Sequence, residues 1–417
     1  MLSNNISKLL CRACRTPLPG PFMSLGRQPL SNAYVTREAL SEEEPVYPLD
    51  VYHCKKCNLV QVPECETASN IFNESYAYFS SYSTTWLDHC KRYADMITRR
   101  LGLSGSSQVI EIASNDGYLL QYFKEKNIPV LGIEPAAGTA RTAREQGIPT
   151  DVCFFNAPCA LRLAASGKMA DLIIGNNVLA HNPDIRGFVQ ALPVALKPDG
   201  VITLEFPHLL RMIQDCQFDT IYHEHYSYLS LTALIPLCEE FGLRIFDVEE
   251  LPTHGGSLRV YAAHNNCPRF DIKETVGRIA EKETEHGLDK SETYERFEKS
   301  AQKIKQDSLA FLKDAKKKGK SIAGYGAPAK GNTFLNYCGI GTDLIGYTVD
   351  RNPHKQGMFL PGSHIPIYSP DRIRETKPDI VFVLPWNIKD EIMGQIAFVK
   401  EWGAKFVVAI PQLEIIP

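Results

Sequence analysis

Val109-Ile110-Glu111-Ile112-Ala113-Ser114-Asn115-Asp116-Gly117-Tyr118-Leu119-Leu120 is the stretch whose reading decides the fold. Its first four residues read as a buried strand, the next five as a polar loop with a glycine. Tyr118-Leu119-Leu120 then opens a helix. Such a unit brings backbone N–H groups toward a ligand at a helix N-terminus. A second strand, Val130–Ile133, ends at Glu134, placed to accept both hydrogen bonds of a ribose diol, with Pro135 beside it. The Gly-x-Gly-x-x-Gly turn that brings a pyrophosphate against the backbone is missing. Instead, Glu111 and Asp116 put carboxylates beside the loop. They would repel phosphates but suit a ligand that carries a sulfonium and an ammonium. The loop thus favours S-adenosylmethionine over a dinucleotide, with Glu111, Ala113, Asn115, Asp116 and Gly117 as expected contacts. The alternative is an ordinary strand-to-helix turn with surface acids.

Working outward, strands near 109–112, 130–133, 171–174 and 201–206 alternate with helical or irregular stretches. This predicts a mostly parallel sheet that places ligands at the carboxyl ends of its strands. Asn176, Asn177 and His181 follow the third strand directly, where such a sheet holds its ligand. Glu205 and His208 close the fourth strand as further candidates. The densest chemical cluster is Asp219-Thr220-Ile221-Tyr222-His223-Glu224-His225-Tyr226-Ser227-Tyr228. A metal reading is weak, because i and i+2 spacing points the imidazoles apart on a helix and lacks the four-residue gap of zincins. Acid–base work suits it better: an imidazole is the natural base near neutrality, and a tyrosine hydroxyl can serve a developing oxyanion. An aromatic core strand with two exposed histidines is the plainer alternative. Upstream, Tyr76-Ala77-Tyr78-Phe79-Ser80-Ser81-Tyr82-Ser83 reads either as a polar turn or as a lid whose hydroxyls line the pocket mouth. A helix over 86–103 follows it.

Cys11-x-x-Cys14 and Cys54-x-x-Cys57 form two knuckles, and two such knuckles complete a tetrahedral four-thiolate site. Zinc suits it, in a structural role, since no position is left open for water. The other eight cysteines, Cys153 and Cys159 among them, show no pairing by sequence and read as buried or idle. Residues 266–320 change in composition and read as one long amphipathic helix, with Phe297, Ala301, Ile304, Phe311 and Leu312 on its apolar stripe. A second α/β unit follows: strand Ser321–Tyr325, loop Gly326–Thr333, helix from Phe334, and strands ending at Asp350 and Pro385. Its loop, with Lys330 at the mouth of a helix, suits a diphosphate.

The chain has 417 residues with a net charge of −3, from 45 basic and 48 acidic side chains spread along it. That length predicts two or three domains. The balance argues against a nucleic-acid footprint. No run of about 18 apolar residues exists to span a membrane, and Met1–Leu10 lacks the apolar centre of a signal peptide. A cytoplasmic protein with reduced cysteines is expected.

The ordered set (four-cysteine module, Glu111–Leu120 loop, Tyr222–Tyr226 and Gly324–Thr333) resembles the nucleotide-sugar C-methyltransferases, which make branched deoxysugars. The resemblance covers nearly the whole chain and includes Val349–Gly357. It implies an α/β protein of three parts: a small β-rich zinc-binding module (1–70), a Rossmann-like S-adenosylmethionine domain (71–265), and a Rossmann-like sugar-nucleotide domain (266–417). It implies a monomer acting at C-3′ of a 4-keto-6-deoxy sugar, dTDP-linked by first choice. His225 would be the base, with Tyr76, His181, Tyr222 and Glu224 around the sugar. Ser81, Ser83, Tyr325, Lys330, Asn332 and Arg351 are the further expected substrate contacts. Two other classes compete: a zinc-ribbon methyltransferase acting on RNA or another small molecule, and a scaffold of two degenerate nucleotide folds. The first lacks a basic stripe, and the second leaves the Tyr222–Tyr226 cluster without purpose.

Overall fold

The structure, a computed structural model, describes residues 9–67 and 80–417. Its chain first lays down β1 (Met23–Gln28), β2 (Tyr47–His53) and β3 (Val60–Gln61). Then come β4 (Val109–Ile112), β5 (Val130–Ile133), β6 (Thr150–Asp151), β7 (Ala170–Asn176) and β8 (Leu196–Pro207). The two-residue β9 (Ser227–Tyr228) precedes an antiparallel pair, β10 (Leu243–Leu251) and β11 (Ser257–His264).

The central sheet has seven strands in the order β10-β11-β8-β7-β4-β5-β6, with β8, β7, β4, β5 and β6 parallel. All four expected strands are present, and β4 is buried along its whole length. β10 and β11 were not expected. They extend the sheet past β8, and their apolar alternation is interrupted by Glu249, Glu250 and Arg259 on the exposed side and at the site.

A second six-stranded sheet runs β14-β13-β12-β15-β16-β17. Its strands are β12 (Ile322–Tyr325), β13 (Tyr347–Val349), β14 (Ile367–Tyr368), β15 (Ile380–Val383), β16 (Lys405–Val408) and the antiparallel edge β17 (Glu414–Ile416). The expected single helix over 266–320 is two, Glu274–Glu285 and Ser291–Lys317. Gly287, at φ +73°, lies in the break, a left-handed turn that stops the first helix. The second helix carries the expected stripe and buries Phe297, Ala301, Ile304 and Leu312.

The N-terminal strands do not stand apart. Met23, Leu49, Val51 and Val60 share one core with Phe297, Phe334 and Phe382. β9, from the middle of the chain, completes their sheet in the order β1-β2-β3-β9, with Val60 opposite Tyr228 and Gln61 opposite Ser227. Among the described residues, no helix is long and apolar enough to cross a membrane.

Candidate active site and metal centre

The two cysteine knuckles fold alike. Arg15 and Asn58 each sit in left-handed conformation just past a knuckle and donate backbone N–H to the carbonyls of Cys11 and Cys54. The sulfurs of Cys11, Cys14, Cys54 and Cys57 all lie within 4.8 Å of one another. Four thiolates about 2.3 Å from one zinc would be about 3.8 Å apart, so the cage fits that ion. Gln61 donates to the Cys11 sulfur at 3.3 Å, an outer contact that orients the ligand. His223 is absent from any metal cluster among the described residues; its Nε2 faces the Pro48 carbonyl at 3.2 Å.

At the carboxyl ends of the central strands, Ala113 (φ 57°), Asn115 (φ 50°) and Gly117 (φ 81°) bend the loop after β4. Two non-glycine residues in the left-handed region store backbone strain, a feature that clusters at functional sites. Glu111 is fully buried, and the Tyr118 side chain offers it a hydrogen bond. Burial, with Asp116 and Glu134 adding to it, pushes the Glu111 carboxyl well above the carboxylate range. A cationic ligand would relieve that cost. Glu134 accepts the Asn115 N–H and the Ala136 N–H, both at 2.9 Å, and so ties the loop to the end of β5. Pro135 lies between these contacts and is partly exposed.

Tyr76 lies outside the described residues. The described part of this segment does reach the loop: Ser80 N–H donates to Asn115 Oδ1 at 2.9 Å and Ser81 N–H to Asp116 Oδ2 at 3.3 Å. Ser83 instead caps helix Thr84–Leu101 by accepting from Trp86 N–H. Asn176 is buried at the end of β7, and Asn177 (φ 54°) turns its amide to His254 Nε2 at 3.1 Å. Glu205 and His208 do not line the site freely. Glu205 is held by His89, Arg259 and Thr253, and against its burial His89 and Arg259 keep it down to about 2. His208 pairs with Glu283 at 2.8 Å.

The Tyr222–Tyr226 segment gathers titratable side chains beside this loop cluster. His225 Nδ1 is 3.0 Å from the Thr220 carbonyl, and Nε2 is 2.6 Å from the Tyr222 hydroxyl. A carbonyl only accepts, so Nδ1 carries the proton and Nε2 is the basic nitrogen, accepting from Tyr222. Burial, with His181 nearby, holds His225 well below the ordinary imidazole value, so the ring is neutral at neutral pH. The His181 ring meets it edge-on at 4.5 Å and is lowered to about 4 by burial. Glu224, also buried, is pushed up to about 7 despite two hydrogen bonds from the Asn32 amide, at 2.9 and 2.7 Å. The sequence-predicted Tyr222, Glu224, His225 and His181 are thus brought together, beside the loop after β7.

The zinc module holds this segment in place. Arg12 donates to the carbonyls of Val62 and Pro183, at 2.5 and 3.0 Å, and lies over the Tyr226 ring. The C-terminal loop closes from the other side. Tyr325 contacts Gln395, and Arg351 is exposed. Asn332 donates to the Ser31 carbonyl at 2.6 Å, so its amide joins the two ends of the chain. Lys330 donates to Asn387 at 3.0 Å and lies over the Trp386 ring, whose Nε1 donates to Asp219 at 2.7 Å. Sequence reasoning missed Asn32, Trp386 and His254, and gave Asp219, at the head of the cluster, no role of its own. His254 carried a signal in the His254-Gly255-Gly256 turn before β11; Asn32 and Trp386 come from remote segments with no motif.

Asp219 supplies a pH test. Burial raises it from 3.8 to about 7, so the folded state binds a proton that the unfolded state has lost over that range. Its contribution therefore turns unfavourable as pH rises from about 4 to 7, by at most about 4 kcal/mol. Asp219→Asn should gain stability relative to wild type between pH 5 and 8 in urea melts. A gap that does not change with pH would show that Asp219 does not titrate there.

Three family models match the chain. One described as "Putative zinc binding domain" covers residues 11–72, a methyltransferase domain covers 86–248, and "C-methyltransferase C-terminal domain" covers 252–411. C-methyltransferase NovU of Streptomyces niveus is 33% identical over 406 residues, 97% of this chain and 96% of the relative. The chain belongs to the C-methyltransferase family. It is an S-adenosylmethionine-dependent methyltransferase with an N-terminal zinc-binding module. Solved methyltransferases are alike only distantly. An S-adenosylmethionine-dependent methyltransferase from Clostridium acetobutylicum is 12% identical, with TM-score 0.35, over 43% of this chain and 92% of its own. Magnesium protoporphyrin IX methyltransferase from Synechocystis is 13% identical, with TM-score 0.32, over 43% and 81%. Likenesses of this size carry no part of the assignment.

Proposed function

We propose that this C-methyltransferase acts at C-3′ of a 4-keto-6-deoxy nucleotide sugar, dTDP-linked by first choice, through an enolate made by His225. The carrying observation is the fixed tautomer of His225, a neutral imidazole whose basic Nε2 is set by Thr220 and Tyr222. Carbon is a poor nucleophile, so the substrate must offer an acidic C–H, and a neighbouring ketone supplies it. Tyr222 has to swing off Nε2 for His225 to take the C-3′ proton. That movement frees the Tyr222 hydroxyl to donate to the enolate oxygen as charge develops there. His181, edge-on to the base, and Glu224, raised to about 7, would be their companions around the sugar. When bound, S-adenosylmethionine supplies the electrophilic methyl group that the enolate carbon takes up.

Glu111, Asp116 and Glu134 would hold that cofactor, the first by its buried carboxyl and the last at the ribose. Tyr325 at the end of β12, Lys330 in the first turn of helix Ala329–Cys338 and Arg351 after β13 would hold the nucleotide. The chain's own balance of charge supports a small-molecule substrate over RNA. The test is a panel of 4-keto nucleotide sugars incubated with protein and S-adenosylmethionine, scored by methyl gain. No product from any 4-keto sugar would end the reading.

Glu134→Ala should weaken S-adenosylmethionine binding by about 1.5–3 kcal/mol, since charge-assisted hydrogen bonds to the ribose are lost. Nucleotide-sugar affinity should stay unchanged. Titration calorimetry checks both, and an unaltered cofactor Kd removes Glu134 from the ribose.

A further inference from the structure

Cys153 and Cys159 lie outside the catalytic cluster and the metal cage, yet their sulfurs are 3.6 Å apart. Nothing in their spacing pairs them. Cys153 is partly exposed on the loop after β6, while Cys159 is buried in the first turn of helix Ala157–Ala165. Arg162, one turn further on, brings Nη2 within 3.4 Å of the Cys153 sulfur and 3.7 Å of the Cys159 sulfur. It is anchored by Asp151 at 2.6 Å. Cys153 is thus a thiol in contact with a second thiol and a cation, the setting that favours a thiolate. The Cys159 contact is the main cause holding Cys153 down to about 7, with Arg162 adding to it against burial.

The loop bears on the cofactor site. Asp151, which ends β6, accepts the Glu134 N–H at 3.0 Å. Val152 and Phe154, on either side of Cys153, are 44% and 40% exposed at this carboxyl edge of the sheet. Two open apolar side chains beside the proposed ribose carboxylate suit the flat face of a purine.

We propose that Cys153 and Cys159 are a redox-sensitive pair whose reversible disulfide weakens cofactor binding. The co-reactant is a peroxide. The Cys153 thiolate attacks one peroxide oxygen, breaking the O–O bond and releasing hydroxide, and becomes a sulfenic acid. The Cys159 sulfur attacks that sulfenic sulfur, and the S–OH oxygen leaves as water with the Cys159 proton. Two thiols and one hydrogen peroxide give one disulfide and two waters. Bond formation must bring the sulfurs from 3.6 Å to about 2 Å. Cys159 is 4% exposed in the core and its backbone N–H is held by Asn156, so the loop is what moves. Val152 and Phe154 move with it.

The test uses the full-length zinc-loaded protein and hydrogen peroxide, with zinc release followed separately so that metal-thiolate oxidation is recognised. Both cysteines fall on one tryptic peptide, so oxidation reads as a loss of about 2 Da and resistance to alkylation. The S-adenosylmethionine Kd should rise severalfold with zinc retained, return on addition of dithiothreitol, and stay fixed in Cys153→Ser and Cys159→Ser. Overoxidation of Cys153 without the internal cross-link would overturn the proposal. So would a cross-link that leaves the Kd unchanged.

Discussion

His225→Asn is expected to keep both ligands bound and to lower kcat by about 10²–10⁴, the range lost when a general base is removed. Asparagine can still donate to the Thr220 carbonyl through Nδ2, the bond that His225 Nδ1 makes at 3.0 Å. The segment should therefore keep its course while the basic Nε2 disappears. Proton exchange separates this from a structural defect. With S-adenosylhomocysteine in D₂O, the wild type should wash deuterium into C-3′ of the sugar, and the variant should not. Exchange that persists in the variant at the wild-type rate would move the role to another group, with His181 first in line. Tyr222→Phe sharpens the point, because the base survives while the hydroxyl proposed for the enolate is gone. It should slow exchange and methylation together, because both pass through the enolate that the hydroxyl stabilises.

Removing zinc should have the larger structural effect. Apparent binding energies of about 10–16 kcal/mol are typical for four-ligand structural zinc, as large as the whole stability of a domain. Cys54→Ser should lose metal and folding yield together. The damage should not stop at the module, because β3 pairs with β9 and Arg12 clasps the carbonyls beside Tyr226 and His181. Chelated protein should therefore lose methyl transfer more completely than it loses cofactor binding, whose loop belongs to the central sheet. Metal analysis, thermal melts and cofactor titration on one sample check this. Metal-free protein with full stability and activity would refute the structural role.

The legible parts of this protein were local. Val109–Leu120 gave a strand, a bent loop and a helix start because its polarity changes over a few residues, and the knuckles were visible from spacing alone. Tyr222–Tyr226 was legible as chemistry, though its partners were not. Asn32 meets Glu224, and Thr333 donates to the Ile221 carbonyl at 2.9 Å, across separations that leave no periodic trace. Lys330 was readable as a basic residue at a helix mouth; that it lies over Trp386 depends on a segment far along the chain. The break at Gly287 was missed because charged residues on both sides continue the helical pattern. The Cys153–Cys159 contact went unseen since a spacing of six signals nothing without the turn of the loop.

The pairing of Val60 with Tyr228 also sets a timetable on the ribosome. The metal cage is complete once Cys57 has emerged, but the open edge of β3 must wait about 170 residues for its partner strand, roughly 10–30 s at ordinary elongation rates. Throughout that interval the nascent chain displays an unpaired strand edge, the kind of surface that recruits other chains. Prematurely terminated chains that end before Ser227 would display it permanently. Such fragments should load zinc and still clump, and the hazard is greatest when translation stalls between the module and β9.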